Sequence, residues 1–428
     1  MRVYTSELSQ KIGEKVLLKG WVHDIRLLGG LAFLLLRDKE GIVQITAKKG
    51  EVDEKVFEVV KQLHQEDVVS IEGEVRKSDI ARGGLEVIPS KIEIIAKSQT
   101  PLPLDPREVT KTNMDTKLNW RVLYFRTKEA RAIFRIQSEI IKAFREYFIS
   151  QGFIEMQPPV IIASASEGGA ELFELPYFDK KVYLAQSPQL YKQMGAISFE
   201  KVFMICPVFR AEKFDQPTHL NEIRQMDFEQ AFSTDEDAMK TLEGVFIHIL
   251  KSVKQNCEKE LRALGRELKI PKVPLRRVKY EEAIEALRKN GEEIEWGDDF
   301  SKLQERKLAQ IFGNAFFIKD WPSELKPFYA MPHEEDPKLC KAFDLIHEGL
   351  EISSGTQRIH VPELLEKKIT EKGLDPSDFK YYIDCFRYGA PPHAGASIGL
   401  ERLTMTITGK RNIKDVTMFP RTRERVSP

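Results

Sequence analysis

GAPPHAGASIGLER, residues 389–402, decides how this 428-residue chain is read. Gly395 and Gly399 allow a backbone to come close to a ligand, and Gly399 opens what reads as a helix, with Arg402 in its first turn. An arginine there can stack on a purine face or pair with phosphate. The plain alternative, a tight turn before a core helix, explains fewer of the fourteen residues.

Working outward, AFDLIHEGLEISSGTQRIH (342–360) carries Glu348 and Glu351 in strand context, with Ser354 and Arg358 after a Gly turn. Oxygen-rich groups beside phosphate suit Mg²⁺, which takes a few carboxylates plus substrate oxygens. Further upstream, 201–232 reads as an antiparallel hairpin. Val202–Arg210 is one strand, Glu222–Phe232 returns, and Arg210, Glu212 and His219 sit at the loop, where they could clamp a triphosphate. LAQSPQLYKQ (184–193) precedes it. The long amphipathic run Arg126–Gly152 predicts a helix. Strands and helices then mix without repeats or βαβ alternation, the signature of an α+β domain around an antiparallel sheet.

Toward the N-terminus, three strands, a helix over 52–67 and two further strands match the order of a five-stranded oligonucleotide-binding (OB) barrel. Pro101, Pro103 and Pro106 mark a linker. The expected organisation is a barrel over 1–97, a hinge over 98–125 and an α+β domain over 126–428. Lys plus Arg and Asp plus Glu stand at 66 each, so contact with nucleic acid would rely on local patches. The four cysteines, Cys206, Cys257, Cys340 and Cys385, lie far apart with no CxxC, against a zinc site and for reduced thiols in a cytosol. The polar start has no leader-like apolar core and no run approaches about 18 apolar residues, so no membrane span is expected and a cytoplasmic location fits.

Taken together, the runs resemble motifs 1, 2 and 3 of the class II aminoacyl-tRNA synthetases: GFIEMQPPVI (152–161), FRAEKFDQPTHLNEIRQMDFE (209–229) and GLER (399–402). EISSGTQRIH and GAPPHAG resemble the aspartate enzymes of archaeal and eukaryotic type, in subclass IIb. The resemblance implies ATP-dependent activation of L-aspartate, transfer to the 3′ end of tRNA(Asp) or also tRNA(Asn), Mg²⁺ as cofactor and a homodimer joined through motif 1. It implies that Glu167 lies on a loop closing over the amino acid, that Gln189, Lys192 and Arg358 hold aspartate, and that Arg210 bridges its carboxyl group and the α-phosphate. Glu351 and Ser354 would bind Mg²⁺, with Ser354 also near aspartate. Glu212, Thr218, His219, Leu220, Gly399, Leu400 and Glu401 would line the ATP site, with Arg402 stacked on adenine. Two positions depart from the pattern: Thr218 stands where many members have Arg, and Ile223 where many have Phe.

For the barrel, the resemblance implies that Phe33 and Gln44 stack on and read the central anticodon uridine, with Arg26 and Glu72 as further contacts. Restricted archaeal enzymes tend to carry Trp where this chain has His23, which leans towards charging both tRNAs. Arg82, near a position that is often Lys in restricted enzymes, leans the other way. The competing readings are an asparagine–tRNA ligase, an adenylate-forming asparagine synthetase-like paralogue and a non-catalytic RNA binder. The last would predict losses among Arg210, Glu351, Arg358 and Arg402, and all four are present.

Overall fold

The computed structural model describes residues 1–81, 83–164, 172–213 and 216–428. Arg82 and Glu167 lie outside the described residues. The chain divides into two compact units, Met1–Thr127 and Lys128–Pro428.

In the first unit, β1 (Lys15–Leu28), β2 (Leu31–Arg37), β3 (Ile42–Lys48), α1 (Glu54–Lys61), β4 (Val68–Lys77) and β5 (Leu85–Ala96) form a closed barrel in the order β1-β2-β3-β5-β4. Alternation drives it: Ala32, Leu34 and Leu36 on β2, Val43, Ile45 and Ala47 on β3, and Val69, Ile71 and Val75 on β4 fill one core, while the residues between them face outward. Helix α1 is shorter than the 52–67 expected. Asp53 caps it by accepting from the Lys55 amide, and after Lys61 the chain turns so that Leu63 still reaches the core. A bulge between Val22 and Asp24 puts His23 out of register. Short helices α2 (Met114–Asn119) and α3 (Arg121–Tyr124) follow within the 98–125 segment, which belongs to this unit.

The second unit runs α4 (Lys128–Ser150), β6 (Ile154–Glu155), β7 (Ile161–Ile162), β8 (Glu174–Tyr177), β9 (Lys180–Leu184), α5 (Gln189–Phe199), β10 (Lys201–Phe209), β11 (Glu222–Ala231), α6 (Asp235–Asn256) and α7 (Glu258–Ala263). It continues with β12 (Arg276–Lys279), α8 (Tyr280–Lys289), α9 (Lys302–Phe312), β13 (Ala315–Pro322), β14 (Leu339–His347), β15 (Leu350–Gln357), α10 (Pro362–Glu371), α11 (Lys380–Arg387), β16 (His393–Gly399) and α12 (Leu400–Thr408). Its main sheet has the order β12-β13-β14-β15-β16-β11-β10-β6, antiparallel except at β12–β13 and β10–β6. The apolar stripe of α4, with Ile136, Ile140, Phe144 and Phe148, packs with α6 in a core shared with Phe203, Phe228, Leu345 and Ile398 of the sheet. That leaves the polar strand positions of β10, β11, β15 and β16 to build a site.

Two expectations shift here. Glu348 lies in the β14–β15 turn, where it and Gly349 both take positive φ, 52° and 74°, as a tight hairpin requires. Phe153, in the apolar motif 1 run expected to be covered by a partner subunit together with Ile154, Pro158, Pro159, Val160 and Ile161, is 7% exposed and its ring centroid lies 4.8 Å from that of Phe148 in the unit's own core.

Candidate active site

Strands β11, β15 and β16 and the end of β10 converge on one cleft. Strand β10 ends at Phe209 and hands Arg210 to its rim, where the Arg210 amide donates to the Asn221 carbonyl at 2.9 Å and Asn221 Nδ2 donates back to the Arg210 carbonyl at 2.7 Å. This locks the two ends of the motif 2 hairpin. Arg210, Glu212, Thr218, His219, Leu220, Glu351, Ser354, Gly399, Glu401 and Arg402 all line the cleft, joined by Ile223, Gln225, Ile352, Ser397 and Ile413. The predicted nucleotide residues thus come together, with Leu400 the exception. Its side chain is buried in the α4–α6 core, because the first residue of α12 faces the sheet.

Charges here are only partly matched. Arg210 Nε is a buried donor without an acceptor among the described residues, so an anion would satisfy it. Arg402 Nη1 donates to the Glu351 carbonyl at 3.2 Å and lies 3.4 Å from its carboxylate. Arg402 Nη2 donates to His219 Nε2 at 3.3 Å, and His219 Nδ1 meets Thr218 Oγ1 at 3.1 Å. Burial, then the Arg402 charge, lowers the His219 pKa to about 4, so the ring is neutral near pH 7 and its proton sits on Nδ1. Glu401 is turned away from the cleft mouth: its two oxygens accept from the Arg224 amide at 3.2 Å each. Burial raises it to about 7.

Glu351 sits at a bulge, since Leu345 pairs with Ser353 but Ile346 with Glu351. Its amide donates instead to Glu305 of α9 at 3.0 Å, and Lys302 Nζ donates to the other Glu305 oxygen at 2.6 Å. The α9 helix can lie this close because residue 349 is glycine: a Cβ there would stand 2.9 Å from the Arg306 Cα. Against the desolvation of its site, Arg402 and then Lys302 hold the Glu351 carboxyl below its ordinary value. Across the β14–β15 register from Ser354 lies Asp344. One of its oxygens accepts from Lys326 Nζ at 2.7 Å; the other is buried and has no well-aligned donor among the described residues, with the Ser354 hydroxyl beside it. Burial, opposed by Lys326 and aided by Glu351, raises Asp344. Among the described residues no group of three or more His, Cys, Asp or Glu side chains stands ready to hold a metal.

Behind Ser397, and not among the residues that line the cleft, lies a buried, self-paired group. Ser397 links the two, lining the cleft and donating to Asp227 Oδ1 at 2.7 Å. Lys192 Nζ donates to Asp227 Oδ2 at 2.7 Å and lies 3.7 Å from Glu229. Arg358 donates through Nε and Nη2 to the Glu229 carboxylate at 2.9 and 3.0 Å, and through Nη1 to Thr356 Oγ1 at 3.0 Å. A guanidinium has five N–H groups, so the two on its outer edge have no acceptor among the described residues. Burial alone would raise Glu229, but the Arg358 and Lys192 charges outweigh it and hold it low. Gln189 Nε2 donates to Gln193 Oε1 at 2.8 Å, which Tyr382 OH also reaches at 2.9 Å, and Gln193 Nε2 meets His393 Nε2 at 2.9 Å. Gly395 proves to serve the protein itself rather than a ligand: a Cβ there would stand 2.3 Å from the Glu229 carboxylate. Gly399, with nothing nearer than 3.7 Å, has no such constraint.

With this geometry in place, comparison with known proteins decides the family. The tRNA synthetases class II (D, K and N) match residues 113–423, and the OB-fold nucleic acid binding domain matches 16–95. The aspartate–tRNA(Asp/Asn) ligase of Methanopyrus kandleri is 48% identical, with 99% of each chain covered, and that of Archaeoglobus fulgidus is 45% identical over 100% of both. The chain belongs to the class II aspartate–tRNA ligases. Solved relatives share the whole synthetase architecture. The asparaginyl-tRNA synthetase of Pyrococcus horikoshii with asparaginyl-adenylate gives a TM-score of 0.96 at 36% identity over 100% of both chains. Aspartyl tRNA synthetase from Entamoeba histolytica gives 0.89 at 32%, over 100% of this chain and 93% of that one.

Sequence reading of this synthetase passed over Asp227, Glu229, Gln193, Asp344 and Glu305. The first two had a signal: two acids at i and i+2 in MDFEQAF (226–232), a strand apolar enough to be central, are too costly to bury without cations. Glu305 had none, since SKLQERKLAQ reads as a surface helix.

On the barrel, Phe33 and Gln44 point outward from β2 and β3, with Arg26 directly opposite Phe33 on β1. Gln44 Nε2 donates to Thr46 Oγ1 at 3.1 Å. Glu72 is not brought to this patch. It pairs with Leu17 of β1 whereas Phe33 pairs with Arg26, nine positions further along that strand. His23, in the bulge, receives Arg37 Nη1 at 3.0 Å through its Nδ1.

Proposed function

We propose that this enzyme activates L-aspartate with ATP and esterifies it onto both tRNA(Asp) and tRNA(Asn). The observation carrying the amino-acid assignment is the balanced node of Lys192, Arg358, Asp227 and Glu229. It suits a ligand bearing both signs: the side-chain carboxylate of aspartate on the open edge of Arg358 and on Lys192, its ammonium near Asp227. Asparagine would leave the Arg358 edge with one carbonyl in place of two anionic oxygens. Gln189, held by Gln193, then orients the bound amino acid.

In activation, an α-carboxylate oxygen of aspartate attacks the α-phosphorus of ATP and pyrophosphate departs. The nucleophile is already anionic, so positioning and charge neutralisation supply the rate. Arg210, with its unfilled Nε, bridges the attacking carboxylate and the α-phosphate. Adenine lies between Arg402 and the aliphatic surface of Ile223. Glu351 and Ser354 would hold Mg²⁺, and the buried second oxygen of Asp344 fits a cation close by. When bound, the ion neutralises phosphate charge. Glu305 fixes the Glu351 backbone for that task. The 3′ hydroxyl of the tRNA then attacks the adenylate carbonyl and releases AMP.

The barrel, with Phe33, Gln44 and Arg26 outward, suits single-stranded anticodon bases by stacking and edge contacts. Ile154 and Ile161, 49% and 45% exposed, support a homodimer joined through motif 1. Light scattering at micromolar concentration is expected to give twice the 49.3 kDa chain mass. The deciding experiment charges purified tRNA(Asp) and tRNA(Asn) transcripts with labelled aspartate and, in parallel, labelled asparagine. Aspartate on both tRNAs is expected, and asparagine on tRNA(Asn) would replace the reading by its sister ligase.

A further inference from the structure

Thr218 has two faces. One lines the nucleotide cleft, and the other forms part of a second cavity of about 350 Å³ beside it, room for roughly ten waters at about 30 Å³ each. Five basic side chains line this second cavity, Arg266, Lys302, Arg306, Lys410 and Arg411, against the single carboxylate of Glu348. Lys302 is already tied to Glu305 at 2.6 Å, and Lys410 to Glu129. Arg266 donates to the carbonyls of Thr406 and Ile407 at 3.0 and 3.2 Å, which leaves its charge intact. Arg306 and Arg411 make no ion pair among the described residues. Three guanidinium charges without a carboxylate partner among the described residues therefore line one chamber. Like charges so gathered repel one another, a cost that an anion of high charge density would remove.

We propose that this cavity receives inorganic pyrophosphate, the leaving group of the activation step. The inference rests on the reading of the enzyme as an ATP-dependent ligase. In that step the bond from the α-phosphorus to the bridging oxygen of the β-phosphate breaks, a carboxylate oxygen of the amino acid bonds the phosphorus, and pyrophosphate leaves with the electron pair. Thr218 matters because of its size. An arginine at this position would fill the passage, whereas the small hydroxyl leaves the phosphate end of the cleft open to the chamber. Arg306 and Arg411 line that chamber. Lys302 stands at the junction, 3.9 Å from the Glu351 carboxylate and facing the cavity.

The test compares the wild-type protein with the double variant Arg306→Ala/Arg411→Ala, whose side chains are exposed and leave the core intact. In aspartate-dependent ATP–pyrophosphate exchange, the KM for pyrophosphate should rise at least about tenfold, while the KM for aspartate moves less than about twofold. Calorimetric titration with inorganic pyrophosphate should show the same loss of affinity. An unchanged pyrophosphate KM and affinity would overturn the assignment. So would a selective rise in the KM for tRNA, which would mark the cavity as a contact for an RNA phosphate. If the wild type shows no aspartate-dependent exchange, the amino-acid assignment falls, and the calorimetric comparison still decides whether the chamber holds pyrophosphate.

Discussion

The two units each bury an arginine against a glutamate, and the pairs do different work. In the barrel, Arg37 Nη1 and Nη2 donate to Glu66 at 2.7 Å each, Arg126 Nη1 adds a third bond to Glu66 at 2.8 Å, and Arg37 Nη1 also reaches His23. In the catalytic sheet, Arg358 and Glu229 form a fork of the same kind, but Lys192 and Asp227 join it. The barrel node has two guanidinium groups to one carboxylate, whereas the sheet node has two of each sign. A buried charge needs compensation wherever it lies. What separates a scaffold node from a binding node is whether a free edge and both signs remain next to a cleft.

Removing the compensation in the barrel should have the largest effect. Glu66→Ala strands Arg37 and Arg126 together, and breaking a buried pair costs about 3–5 kcal/mol. Denaturant titration should show the barrel unfolding first, while aspartate activation, read by pyrophosphate exchange below that transition, stays near wild type. Loss of activation without loss of stability would show that the barrel node is not a scaffold. Next, Arg358→Lys keeps the charge but loses the fork that serves Glu229 and the outer edge together. The aspartate-dependent exchange rate should fall at least about a hundredfold, from roughly 3 kcal/mol for a truncated charged contact. Near wild-type efficiency with aspartate would sink the amino-acid assignment.

Glu401 sharpens the comparison because it is a buried carboxylate with no paired cation among the described residues. It takes a proton instead, its pKa raised to about 7 by burial. Between its unfolded value of about 4.5 and about 7 the folded state binds the extra proton, so this group's contribution to stability falls as pH rises through that window and then levels off. The ceiling is about 3 kcal/mol at about 1.4 kcal/mol per unit. Glu401→Gln should flatten the stability difference between pH 5 and 7.5 relative to wild type, measured by thermal unfolding. Parallel curves for the two proteins would mean that Glu401 titrates normally.

The barrel was legible because alternation is local: each strand announces its inward face, and the order of strands and helix closes one topology. Motif 2 and motif 3 were legible for a similar reason, as Arg210 and Arg402 sit at strand and helix ends that short patterns predict. The charge network was not legible. Asp227 and Glu229 read as polar members of an alternating strand, and only the packing of α5, β11, β16 and the end of β15 sets Lys192, Gly395 and Arg358 around them. The reach of Glu305 depends on how closely α9 lies against Gly349, which no residue of α9 encodes alone. Phe153 misled because its apolar run is shared between the core, which takes Phe153, and the surface, which keeps Ile154.

The smallest expected effect lies where the barrel node meets the reading of tRNA. Anticodons for Asp and Asn differ only at the third base, C against U, so discrimination there rests on one contact, worth about 1–3 kcal/mol. His23 occupies a bulge, a device that re-aims a side chain, and its Nδ1 accepts from Arg37. Burial and the Arg37 charge keep its pKa below the usual value. The ring is then neutral near pH 7 with its proton on Nε2, a donor that either pyrimidine carbonyl can accept. Tryptophan cannot accept from Arg37 and is bulkier, so His23→Trp should both loosen the Arg37 contact and narrow the space for the third base. Wild-type charging efficiencies for tRNA(Asp) and tRNA(Asn) should agree within about tenfold, and the variant should widen that gap by about another tenfold, roughly 1.4 kcal/mol. The activation step with aspartate alone should be unaffected, because the change lies in the barrel. If the wild type already charges tRNA(Asn) more than about a hundredfold less efficiently, His23 does not confer permissiveness, and the enzyme serves tRNA(Asp) alone.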